Sequence, residues 1–75
     1  MRLSELKDCE RAKIIKVGGN IKFKKRLLEM GFVKGEIIER KKCAPLADPI
    51  EFIIKNYHVL LRGEEAFDII VEKIS

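Results

Sequence analysis

The chain has few of the residues that build metal or catalytic centres: its 75 residues include two cysteines, one histidine and no tryptophan. A structural zinc site normally takes four Cys or His ligands, often closely paired. The sequence contains no C-x-x-C or H-x-x-E pattern, and Cys9, Cys43 and His58 are scattered. We therefore predict no metal site and no cofactor. A site completed by a carboxylate or by a second copy is the alternative.

A long apolar segment is also missing. No apolar run approaches the roughly 18 residues of a membrane-spanning helix. The N-terminal residues MRLSEL lack the apolar core of a signal peptide. We therefore expect a cytoplasmic protein in which Cys9 and Cys43 stay reduced. A reduced cysteine outside a ligand pattern is most often a small buried apolar residue, and we expect this of both.

Catalytic motifs are absent as well. Thiol catalysis would need Cys9 or Cys43 beside the lone His58, and no orienting third group is visible. Gly18-Gly19 precedes a predicted helix, but it lacks the Lys-Ser/Thr of a phosphate loop and any dinucleotide fingerprint. This pair therefore predicts a strand-to-helix turn, and we predict that the chain is not an enzyme.

What the chain does have is enough apolar content, 47%, for one small folded domain over residues 1–75. Its net charge is +4, which alone indicates neither nucleic acid nor an anionic membrane. Lys22, Lys25 and Arg26 form a basic face on a predicted helix. Simple solvation explains such a face, and contact with an acidic partner or with anionic lipid headgroups is the sharper alternative.

The first half of the chain predicts a strand followed by a helix. Residues 11–17 are rich in β-branched side chains, and Asn20 is a good N-cap for a helix over 21–30. Its apolar face, at i, i+4 and i+7 spacing, is Phe23, Leu27 and Met30. Gly31 can adopt the left-handed conformation that ends a helix, and Gly35 closes the following turn.

The second half predicts short strands separated by turns. Residues 36–43 alternate imperfectly, because Arg40 falls where an apolar residue would match Ile38, so we expect a bulge or an edge position. Pro45 and Pro49 interrupt the ladder. Two strands then follow, at residues 50–55 and 57–62, with Asn56 supplying a turn residue that tolerates positive φ. One helical turn at 63–66 precedes a last strand at 68–74, apolar on both faces, which we expect to close a barrel.

Three segments, LLEMGFVKG, APLADPIEF and NYHVLLR, resemble the ferrous iron transport protein A (FeoA) family, whose pattern is roughly LxxMGxxxG, APLGDPxxx and GYxLALRxxEA. The resemblance implies a mainly β fold with one or two short helices, a small SH3-like barrel with a helix inserted after the first strand. It implies an accessory protein that binds the cytoplasmic portion of the FeoB iron permease and meets the membrane only through that partner. At family level it also implies transition metal ion binding, although no ligand set is visible here.

The surface that we expect to bind this partner joins the helix end to the proline loop. Leu28 lies off the apolar stripe of its helix, and stiff apolar loops suit interfaces. Packing of Leu28 on Leu46 inside a small barrel is the alternative. The predicted partner-binding residues are Leu28, Met30, Phe32, Ala44, Pro45, Leu46, Asp48, Pro49 and Tyr57. Gly31, Gly35 and Asn56 would supply the turns.

Two other functions are compatible with a small basic barrel. Nucleic-acid binding would need aromatic stacking residues beside positive charge, whereas most aromatic residues here occupy apparent core positions, so no nucleic-acid partner is expected. A regulatory domain like those of metal-dependent repressors would accompany a helix-turn-helix, which this chain has no room for. Weak self-association stays open.

Overall fold

Five antiparallel strands form one sheet in the order β4-β3-β2-β1-β5 in this computed structural model, which describes residues 1–41 and 48–74. The strands are β1 (Arg11–Val17), β2 (Ile37–Arg40), β3 (Ile50–Ile54), β4 (Tyr57–Leu61) and β5 (Ile69–Lys73). The helices are α1 (Ile21–Glu29) and α2 (Gly63–Phe67), and a 3-10 turn at Leu3–Glu5 precedes β1. The predicted mainly β fold, with a helix inserted after the first strand, is confirmed.

Both ends of α1 are built from the residues that the sequence indicated. The Asn20 side chain accepts a hydrogen bond from the Phe23 N–H at 2.8 Å, which caps an otherwise unpaired donor. At the other end Gly31 has φ +98°. The Gly31 N–H donates to the Leu28 carbonyl, and the Phe32 N–H donates to the Leu27 carbonyl at 2.9 Å. These two bonds form the Schellman motif, which fixes the direction in which the chain leaves α1.

The β3–β4 hairpin has a two-residue turn. Ile54 pairs with Tyr57, and Lys55 and Asn56 between them have φ +49° and +67°. Two successive positive φ angles match the type I′ turn, whose twist suits paired strands. The prediction for Asn56 is therefore confirmed, and the turn places Tyr57 at the start of β4.

The expected explanation for Arg40 is wrong. β2 is neither bulged nor an edge strand: it pairs in regular register with β1 on one side and β3 on the other. Arg40 Nη1 instead donates to the Leu6 carbonyl oxygen at 2.6 Å, and its Nε lies 3.3 Å from the Asp8 carboxylate. A register shift does occur in β1, between Ile14 and Lys16, where this strand pairs with β5.

The expected closure of the barrel by β5 is also not made. In the described residues β4 and β5 are the two ends of the sheet order, and β5 pairs with β1 alone among the named strands. Ile69 and Val71 are buried, whereas Ile74 beyond the strand is exposed. A single bridge between Arg2 and Ile70 covers the outer edge of β5.

The core takes apolar side chains from all five strands, both helices and the N-terminal segment. Its buried members are Leu3, Leu6, Ala12, Ile14, Leu27, Phe32, Ile38, Ile50, Phe52, Ile54, Val59, Leu61, Ala66, Ile69 and Val71. Leu3 and Leu6 are fully buried, as expected of a segment that covers the core. Cys9 is exposed, so the expectation of a buried thiol is wrong there, and Cys43 lies outside the described residues.

Candidate partner-binding surface

The end of α1 and the start of β4 together form an open groove of about 310 Å³. It is lined by Glu29, Met30, Tyr57, His58 and Val59, and we refer to it as the Met30–Tyr57 groove. Met30 is half-buried against the core, whereas 66% of Tyr57 is exposed. The Schellman stop and the type I′ turn determine where these two side chains lie. Two predicted partner-binding residues, far apart in the sequence, are thus neighbours.

Leu28 lies on a different side of α1. It lines a smaller groove of about 160 Å³ against β1, the Leu28 groove, together with Ile14, Ile15, Lys16, Val17, Lys24, Phe32 and Lys34. Leu28 itself is 54% exposed, so the described part of the core does not enclose it. Because Leu46 lies outside the described residues, the alternative of Leu28 packing on Leu46 stays a prediction.

Phe32 is a correction to the predicted surface. Its side chain is fully buried in the core cluster, so it cannot contact a partner while the domain is folded. Its role is structural, because its N–H completes the stop of α1 and its ring belongs to the buried core cluster. The sequence signal for this role was its position directly after Gly31.

The proline loop is described only at its end. Asp48 and Pro49 are exposed and line a shallow depression with Arg62 and Glu64. Asp48 Oδ1 accepts a hydrogen bond from the Gly63 N–H at 3.0 Å, which ties the loop to the start of α2. The predicted contacts at Ala44, Pro45 and Leu46 lie outside the described residues.

The predicted basic face of α1 is divided into two parts. Arg26 Nη2 lies 3.1 Å from the Glu65 carboxylate, and Lys22 shares a cleft of about 510 Å³ with Arg26, Glu64, Glu65 and Asp68. On this side the acidic α2 region offsets the positive charge. Lys24 lines the Leu28 groove instead, and Lys25 is exposed and takes part in none of the ion pairs found in residues 1–41 and 48–74.

His58 belongs to none of the sites predicted from the sequence. Its Nδ1 lies 2.5 Å from Glu51 Oε2, and 60% of its side chain is exposed. The ring therefore pairs with a carboxylate on β3. The strand register could have indicated this neighbour, since His58 is opposite Ile53 and Glu51 is one diagonal step away.

Within residues 1–41 and 48–74, no three His, Cys, Asp or Glu side chains come together as a metal-binding group. No helix among these residues has the length and apolarity needed to span a membrane.

Comparison with known proteins gives a consistent result. A Fe(2+) transport protein A/Fe(2+) transporter FeoB fusion protein from Porphyromonas gingivalis is 52% identical over 75 residues, all of this chain and 9% of that protein. The chain thus spans less than a tenth of that relative's length.

Solved structures agree with the fold. The solution structure of the FeoA protein from Chlorobium tepidum superposes with a TM-score of 0.92 at 35% identity, over all of this chain and 71% of that one. The crystal structure of Stenotrophomonas maltophilia FeoA complexed with zinc, described as an SH3 domain protein, gives 0.85 at 32% identity, over 96% of this chain and 89% of that one. The predicted SH3-like fold is therefore confirmed.

More distant structures share the fold alone. A manganese-dependent transcriptional repressor superposes with a TM-score of 0.85 at 15% identity, over 99% of this chain and 41% of that one. Identity this low carries no functional argument. The FeoA domain model, by contrast, matches residues 1–73, and the chain belongs to the FeoA family.

Proposed function

We propose that this chain is a non-enzymatic accessory protein of ferrous iron transport that acts in the cytoplasm by binding a FeoB-like permease. One observation carries the proposal: a segment 52% identical to the whole chain is part of a protein named as a FeoA/FeoB fusion. Joining two modules in one polypeptide raises their effective concentration toward each other, which favours modules that work in contact.

The contact surface that we assign is the Met30–Tyr57 groove. Met30 is half-buried in this groove and Tyr57 is exposed beside it. Aromatic and Met side chains are enriched at protein interfaces. The backbone on both sides of the groove has a defined conformation, because α1 ends at Gly31 and a type I′ turn precedes Tyr57. A pre-formed groove loses less conformational entropy on binding than a flexible segment does.

The proline loop is a second proposed contact. Asp48 and Pro49 are exposed, and the hydrogen bond from the Gly63 N–H to Asp48 positions the end of the loop. Ala44, Pro45 and Leu46 would extend this contact. Leu46→Asp should weaken permease binding if the loop takes part, and unchanged binding would remove the loop from the proposal.

The test is capture of the purified cytoplasmic portion of a FeoB-like permease by this chain. Tyr57→Ala should weaken capture roughly thirty-fold, since a central interface Tyr typically contributes about 2 kcal/mol. Leu60→Ala is the matched control: it removes a similarly exposed apolar side chain from the same strand, outside the groove.

The two results separate the parts of the proposal. If the unaltered chain captures no permease, the proposed function is wrong. If capture occurs but Tyr57→Ala and Leu60→Ala behave alike, the function stands and the assignment of the groove is wrong. Circular dichroism of both variants should match the unaltered chain, because neither side chain belongs to the core.

A further inference from the structure

The outer face of α1 displays apolar side chains in line with lysines. Ile21, Lys25 and Leu28 follow each other at i, i+4 and i+7, so they form one stripe along the helix. Ile21 is 83% exposed and Leu28 54% exposed, at opposite ends of that stripe. Exposed apolar side chains at both ends of a short helix form a surface suited to contact with another apolar surface.

Lysines from three segments surround this stripe. Lys24 lies beside it on α1. Lys16 of β1 and Lys34 of the turn between α1 and β2 complete the rim of the Leu28 groove. Glu29, the one acidic residue of α1, lines the Met30–Tyr57 groove instead. Among the described residues no carboxylate lines the Leu28 groove, and the charged residues that do line it are all lysines.

The lysines around the stripe are distinct from the cations that form ion pairs within the described residues. The ion pairs found in the described residues involve Arg26, Arg40, Lys55, His58 and Lys73, each with an acidic partner. None of them involves Lys16, Lys24, Lys25 or Lys34. No ion pair within the described residues therefore accounts for these four lysines.

We propose that this face, formed by Ile21, Lys24, Lys25 and Leu28 with Lys16 and Lys34 at its rim, binds directly to an anionic lipid bilayer surface. Lysines would pair with lipid phosphate and carboxylate groups, while the Ile21 and Leu28 side chains enter the headgroup region. Juxtamembrane lysines and interfacial apolar side chains act together in this way in peripheral proteins. In this proposal the chain meets the membrane directly, and not only through its partner as the family resemblance implies.

The shape of the face favours a bilayer over an acidic peptide. Ile21, the first residue of α1, is 83% exposed and lines none of the grooves named above among the described residues. A peptide side chain that bound beside Ile21 would need a recess there. Protruding apolar groups between cations fit a soft, laterally extended anionic surface. Contact here also leaves Tyr57 accessible, because Tyr57 lines the other groove.

The test is co-sedimentation with vesicles of phosphatidylcholine alone or mixed with phosphatidylserine. We expect binding to the mixed vesicles and none to the neutral ones. Lys24→Gln combined with Lys34→Gln should weaken binding roughly twenty-five-fold, since one lysine near an anionic surface accounts for roughly a factor of five. The matched control is Lys7→Gln combined with Arg11→Gln. Both cations are exposed and neither belongs to the proposed face, since Lys7 precedes β1 and Arg11 is its first residue.

A second measurement reports on insertion. The chain has no tryptophan, so Ile21→Trp introduces a single fluorophore at an exposed position. Its emission should shift to the blue with the mixed vesicles. Leu60→Trp, on a similarly exposed site of β4, should show no shift.

Three results would overturn the proposal. The first is equal binding to neutral and anionic vesicles, or none to either. The second is equal weakening by the control pair, which would mean that net charge alone acts. The third is vesicle binding without a shift at Ile21→Trp. If the chain does not bind the mixed vesicles but binds a synthetic Glu/Leu peptide, and the Lys24→Gln and Lys34→Gln pair weakens that binding, the face is a peptide site. None of these outcomes depends on the permease, so the proposed function is judged separately.

Discussion

Arg40 Nη1 lies 2.6 Å from the carbonyl oxygen of Leu6, joining β2 to the N-terminal segment across 34 positions of sequence. The segment covers the core with the fully buried side chains of Leu3 and Leu6. A charged side chain on the inner side of a central strand is therefore satisfied by a backbone oxygen and by the Asp8 carboxylate, and the segment gains a fixed attachment.

We predict that Arg40→Ala destabilises the domain by about 1–3 kcal/mol, because a hydrogen bond to a charged donor is lost and the Leu6 carbonyl is left without that donor. The measurement is the midpoint of urea unfolding followed by circular dichroism. Arg11→Ala is the control, since Arg11 begins β1 and is exposed, and it should change the midpoint little. Equal effects of the two variants would contradict the role assigned to Arg40.

A second prediction concerns the end of α1. Gly31 has φ +98°, and a Cβ added there would lie 3.1 Å from Lys55 Cδ. Gly31→Ala should therefore lower the free energy of unfolding by about 1–2 kcal/mol, mainly through the left-handed backbone, since the lysine stem can move. Urea unfolding measures this directly.

Two further glycines distinguish the effect of the backbone conformation from that of side-chain crowding. Gly35 has φ +93° with nothing within 4 Å of an added Cβ, whereas Gly63 has open space and no positive φ. Gly35→Ala should cost about as much as Gly31→Ala if the backbone dominates. Gly63→Ala should be neutral or stabilising by up to about 1 kcal/mol. A large loss at Gly63 would show that factors other than φ control these positions.

The sequence predicted the elements whose determinants are local. Asn20 and Gly31 mark the ends of α1 within a few residues, and Asn56 marks the hairpin turn, because caps and tight turns depend on the conformation of single residues. The explanation of Arg40 failed because its partners, Leu6 and Asp8, are distant in sequence. No periodicity within β2 contains that information.

The candidate surface was predicted less completely for the same reason. The helical spacing predicted the exposure of Leu28, and the family pattern pointed to Tyr57. Their separation into two grooves depends on which side of α1 faces β1 and which end of it meets β4. Phe32 was assigned to the surface although the stop at Gly31 turns its ring inward. The pairing of Arg26 with Glu65 likewise joins residues 39 positions apart.

A third prediction concerns pH. Lys73 Nζ lies 2.6 Å from Glu10 Oε2, and the Lys7 N–H donates to Glu10 Oε1 at 2.7 Å. The hydrogen bond from Lys73, followed by that from the Lys7 backbone, holds the pKa of Glu10 below its ordinary value. With the folded pKa below the unfolded one, the stabilisation is present above the unfolded pKa and is lost as pH falls through the folded pKa.

Lys73→Met should therefore raise the pKa of Glu10 toward its ordinary value and reduce the loss of stability on acidification. The Glu10 carboxyl resonance, followed by NMR through an acid titration, measures the first effect. Lys13→Met removes another exposed lysine that is in none of the ion pairs found in the described residues, and it should leave the Glu10 titration unchanged. A Glu10 curve that is the same in both variants would contradict the assignment.

The last prediction is a stabilising substitution at Cys9, which is exposed and has φ +66°. A side chain in this conformation costs about 1–2 kcal/mol, of which glycine's greater freedom in the unfolded chain cancels about 0.5–1 kcal/mol. Cys9→Gly should thus raise the free energy of unfolding by roughly 0.5–1 kcal/mol while keeping the 2.7 Å bond from its N–H to the Arg40 carbonyl. Cys9→Ala removes the same thiol but keeps the strain, so it should leave stability unchanged. If alanine stabilised the domain as much as glycine, the thiol and not the backbone would be the cause.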